Sequence, residues 1–123
     1  MGAVSTTLDA AAFSLDAMLD DLRTLVEIES PSLDLAALQS SAEALATMIE
    51  RHLGTPAVLV DSPAGPHVHW SGGGDPKVLL LGHHDTVFPL GALASRPFGV
   101  AGGRATGPAL RPPGGAHRQG VRP

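Results

Sequence analysis

Residues 77–89 read KVLLLGHHDTVFP, a four-residue apolar run, Val78 to Leu81, that stops at Gly82 and is followed at once by His83, His84 and Asp85. Unbroken apolarity over so short a stretch predicts a strand covered on both faces. The carboxyl end of such a strand is where an α/β sheet delivers functional groups into a crevice. His83 and Asp85 stand two residues apart, so in extended backbone they project to the same face, and His84 to the other. That placement suits an imidazole that binds a metal while a carboxylate fixes its other nitrogen. The bland alternative is a solvated strand-end histidine beside an aspartate in an Asx-type turn.

Working back from this stretch, His67 to Trp70 and Ala57 to Val60 read as two more short strands, separated from it by the glycine-rich turn Ser71–Pro76. His67 and His69 share one strand face and have metal-capable spacing, but no third ligand is in view. Gly72, Gly73 and Gly74 lack the Lys-Ser/Thr that a phosphate loop requires. Further back lie two amphipathic helices. The first is capped by Ser14 and presents Leu15, Leu19, Leu22 and Val26 on one stripe. Pro31 closes it. The second is expected over Asp34–His52, with Leu38, Ala42, Leu45 and Ile49 buried and Gly54 as the stop. Two helices followed by strands open a layered α/β domain.

Composition narrows the function classes. The chain has 123 residues, no cysteine and a net charge of −4. There is therefore no disulfide scaffold, thiolate metal site or thiol nucleophile, and no basic face for nucleic acid. No apolar run approaches the roughly 18 residues of a membrane span, and the N-terminus lacks a basic leader. A cytoplasmic location is the expectation. Met1, Gly2 and Thr6 fit a loose myristoylation pattern that is too short to carry weight.

All twelve acidic residues lie at or before Asp85, and five of the seven arginines lie after it. Residues 109–123, ALRPPGGAHRQGVRP, contain no acid and three arginines. Such a segment reads as a disordered basic tail. The organisation expected is a loose lead-in over 1–13, a folded part over 14–108 and this tail over 109–123.

Residues 79–89, LLLGHHDTVFP, resemble the zinc-dependent aminoacylase and carboxypeptidase family, which includes glutamate carboxypeptidase, acetylornithine deacetylase and succinyl-diaminopimelate desuccinylase. The similarity extends to LVEIESPS at 25–32, to Pro97, Phe98 and Gly99, and to ATGP at 105–108. The resemblance implies the N-terminal part of a three-layer α/β/α catalytic domain, incomplete here. It implies His83 as a metal ligand and Asp85 as the catalytic-site carboxylate oriented toward it. It implies two zinc ions in the complete enzyme, small peptides or N-acyl amino acids as substrates, and dimerisation only through a further domain.

Ala109 stands where the family has a glycine, and Pro112 and Pro113 occupy the region of its metal-bridging aspartate. The general-base glutamate and the later ligands have no counterpart. The expectation is a metallopeptidase-type amide hydrolase whose chain is altered or truncated near residue 108 and is inactive alone. The competing expectation is a non-catalytic product or small interaction module.

Overall fold

The computed structural model describes residues 9–110. The myristoylation pattern, most of the lead-in and all but two residues of the expected tail lie outside them.

A short 3-10 turn, Ala10–Ala12, leads into α1 (Leu15–Glu27), whose first turn is closed by Ser14 Oγ accepting from the Ala17 amide at 3.3 Å. Leu19, Leu22 and Val26 are half-buried, whereas Leu15, at the fraying end, is exposed. The second helix, α2 (Leu35–Leu53), begins at Asp34, whose carboxylate accepts from the Ala37 amide at 3.0 Å. It stops at Gly54, which adopts φ +74°, a left-handed conformation that glycine enters without a Cβ penalty. The two helices pack together, and Asp21 of α1 bridges to Arg51 and His52 in the last turn of α2. Hydrogen bonding from His52, and then the charge of Arg51, hold the Asp21 carboxyl below its ordinary range.

The strands β1 (Val58–Val60) and β2 (His67–His69) form an antiparallel hairpin with Val60 opposite His67 and Val58 opposite His69. Val68 and Leu59 turn toward α2, and the two histidines of β2 face solvent. The hairpin turn sits close on α2. A Cβ at Gly65 would lie 2.8 Å from Leu38 Cδ1, and Gly65 itself has φ +116°, so this position accepts only glycine. Leu38 and Ala42 are buried beneath it. A second hairpin, β3 (Gly99–Ala101) with β4 (Arg104–Thr106), follows the one-turn helix α3 (Ala92–Ser95). Phe98, just before β3, is buried under the Arg23 guanidinium, 4.6 Å from its ring centre.

The described residues thus form a mixed α/β structure of two long helices, the one-turn α3 and two antiparallel hairpins. One expectation is overturned. Val78–Leu81 is not a strand and is not covered: its four side chains are 76%, 81%, 90% and 89% exposed. A strand exists by pairing, and no described residue pairs with this stretch. Pairing resumes only at Thr86, in a single parallel bridge to Pro31.

Candidate functional site

That bridge builds the site. The Thr86 amide donates to Ser30 O and the Ser32 amide donates to Thr86 O, both at 2.8 Å. The segment between the helices, Ser30-Pro31-Ser32, is thereby laid beside His84-Asp85-Thr86. Pro31 removes one donor and biases Ser30 toward extended backbone, and the turn that starts at Pro31 carries Ser32 on the other side of the bridge.

His83 and Asp85 are brought together. His83 Nδ1 lies 3.1 Å from Asp85 Oδ1 and 3.0 Å from the Asp85 carbonyl. Both partners are acceptors, so Nδ1 carries the proton. The lone pair of the neutral ring then resides on Nε2. The His83 side chain is 83% exposed, which leaves that nitrogen open. Asp85 is held from its other side, where the Ser32 hydroxyl donates to Oδ2 at 2.7 Å. This hydrogen bond is the largest influence on the Asp85 carboxyl; burial opposes it, and a lesser hydrogen bond from His83 helps to hold the carboxyl below its ordinary range. The chain Ser32–Asp85–His83 is a relay in which a carboxylate fixes an imidazole tautomer.

His84 serves a different purpose. Its Nε2 lies 3.2 Å from the Pro66 carbonyl and its Nδ1 lies 3.1 Å from Ser41 Oγ on α2. A carbonyl only accepts, so Nε2 donates and Nδ1 receives the Ser41 proton. The Ser30 hydroxyl donates to the His84 carbonyl at 2.7 Å, and both serines are buried. His84 therefore ties the site segment to α2 and to the β1–β2 turn while its neighbours face outward.

Glu29 accepts from the amides of Leu93 and Gly91, at 2.8 and 3.1 Å, and these bonds keep its carboxyl below the ordinary range. Arg96 donates to Gly107 O at 2.6 Å and to Leu110 O at 2.8 Å, with its guanidinium over the Phe88 ring. The Gly107–Leu110 turn is thus drawn to the His83 face. Within it Ala109 adopts φ +63°, the left-handed conformation natural to glycine.

Among the described residues no three His, Asp or Glu side chains converge to hold a metal. His67 and His69 lie on β2 and form no metal-holding group with His83. Ser32, Ser41 and Arg96 were not singled out from the sequence. Their partners are 53, 43 and 11 to 14 residues away, a relation that no local pattern encodes. The one hint was the ESPS run at 29–32, read as a helix stop. Compared with known proteins, the chain matches no family model, no curated protein and no solved structure.

Proposed function

We propose that this chain carries one metal-ligand position of an amide hydrolase of the zinc-dependent aminoacylase and carboxypeptidase type, built on the N-terminal part of a three-layer α/β/α domain. His83 is the ligand, through Nε2, and Asp85 is the carboxylate that holds its ring. The single observation that carries this reading is the relay from Ser32 Oγ through Asp85 to His83 Nδ1, which leaves one open imidazole nitrogen of fixed tautomer. Metal-ligating histidines are commonly held this way.

His83 alone does not complete a zinc site. A catalytic zinc takes three protein ligands and a structural one four, and among the described residues His83 brings no second or third ligand with it. No hydrolytic step is therefore derived for the chain alone. The substrates of the proposed class are small peptides or N-acyl amino acids.

The reading predicts that the 123-residue chain, supplied with zinc, turns over neither N-acyl amino acids nor peptides ending in glutamate above a His83→Ala control. Turnover clearly above that control would overturn the expectation that the chain alone is inactive, and a zinc-insensitive His83 ring would overturn the ligand assignment. A second reading, a non-catalytic interaction module, is favoured by one observation: the bare apolar stretch Val78–Leu81, whose backbone pairs with no described residue.

A further inference from the structure

Beside the His83 relay lies a cavity of about 340 Å³, within the size range of small-molecule sites, roughly 300–1,000 Å³. Its walls are apolar: Leu22, Leu25 and Val26 of α1, Leu45 of α2, Phe88 and Leu110. The polar groups at its rim are unbalanced. Two carboxylates line it, Glu29 and Asp85, and among the described residues no lysine or arginine does. Arg96, close by, is committed to the Gly107 and Leu110 carbonyls.

Most of the rim's side-chain donors are also spent; the Thr86 hydroxyl, which accepts from the Phe88 amide, is the exception. The Ser30 hydroxyl is given to the His84 carbonyl, the Ser41 hydroxyl to His84 Nδ1, and His84 Nε2–H to Pro66. The His83 Nδ1–H is given to Asp85. What remains is acceptor capacity: the unused lone pairs of Glu29 and Asp85, and His83 Nε2. A carboxylate or phosphate entering here would meet two like charges and, among the side chains, a single hydroxyl donor, Thr86. An ammonium would meet two opposite charges at the rim.

We propose that this cavity is a binding site for a small aliphatic amine in its ammonium form, with its hydrocarbon body between α1 and α2 and its head at Glu29 and Asp85. The site uses the charge pattern of the rim and needs no metal at His83, so it stands or falls separately from the hydrolase reading.

Hexylammonium, hexanoate and hexanol are titrated into the full chain with chelator present, at a pH above the ordinary histidine range. Binding is followed by heteronuclear NMR. Hexylammonium is expected to shift the amides of Val26, Leu45 and Phe88 and to bind at least roughly tenfold tighter than hexanoate. Hexanol is expected to fall between them. Glu29→Gln removes the charge and keeps an oxygen acceptor for one of the two amides, Gly91 or Leu93. It should shrink the preference for ammonium over carboxylate. Hexanoate or hexanol binding as tightly as hexylammonium to the wild-type chain, or shifts confined to residues outside the cavity, would overturn the proposal.

Discussion

Adjacent histidines in this chain should respond to the same substitution in opposite ways. His84 makes two hydrogen bonds, to Ser41 Oγ and to the Pro66 carbonyl, and both partners are out of water. Truncation to alanine strands them. Each buried unsatisfied group costs about 1–3 kcal/mol, and Ser41 can recover part of that by turning its hydroxyl to the carbonyl one helical turn back. The expected loss for His84→Ala is therefore about 2–4 kcal/mol. His84→Gln restores a donor toward Pro66 and should recover part of it. His83, by contrast, is 83% exposed, and exposed substitutions ordinarily stay within about 0.5 kcal/mol. Urea unfolding followed by circular dichroism measures both. With a slope of about 1–3 kcal/mol per molar, His84→Ala should move the midpoint by roughly 1 M or more, or abolish the transition, while His83→Ala barely moves it. Equal midpoints for the two alanine variants would refute the division of labour between them.

Other expectations concern strain and charge. Ala109→Gly should stabilise the chain by about 0.5–1 kcal/mol, since relief of a left-handed non-glycine residue, about 1–2 kcal/mol, exceeds glycine's added flexibility; a lowered thermal midpoint would contradict it. The Asp21 carboxyl sits below its ordinary range when folded, so its contribution is present above the unfolded value and lost as pH falls through the folded one. Asp21→Asn should accordingly be less stable than wild type at neutral pH, and the gap between their urea midpoints should close on acidification. A gap that stays constant with pH would remove Asp21 as its source.

Local rules read the helices well. Ser14 and Asp34 are short oxygen-bearing residues placed just before apolar periodic runs, and Gly54 follows one, so the boundaries of α1 and α2 were visible in the sequence. Residues 58–60 and 67–69 were legible as strands for similar reasons. Val78–Leu81 was not. Its composition is that of a buried strand, but strand formation depends on a partner elsewhere in space, and periodicity says nothing of whether one is there. Where the site is concerned, the two-residue spacing of His83 and Asp85 pointed to the contact the structure contains. The Ser32 and Ser41 partners were invisible, because the bridge between Pro31 and Thr86 that delivers them is a tertiary event. The outward or inward choice of His84 followed from strand alternation, and the identity of its hydrogen-bond partners did not.

The central claim is that Asp85 holds the His83 proton on Nδ1 and leaves Nε2 open to a metal. Long-range proton–nitrogen NMR of the imidazole side chains reports it directly, first without and then with added zinc, at a pH where the ring is neutral. The account predicts an Nδ1–H tautomer for His83 in the free chain, a zinc-induced shift on its Nε2, and loss of that tautomer preference in Asp85→Ala. An Nε2–H tautomer in the wild-type chain, or a His83 ring that zinc leaves unchanged, would contradict it.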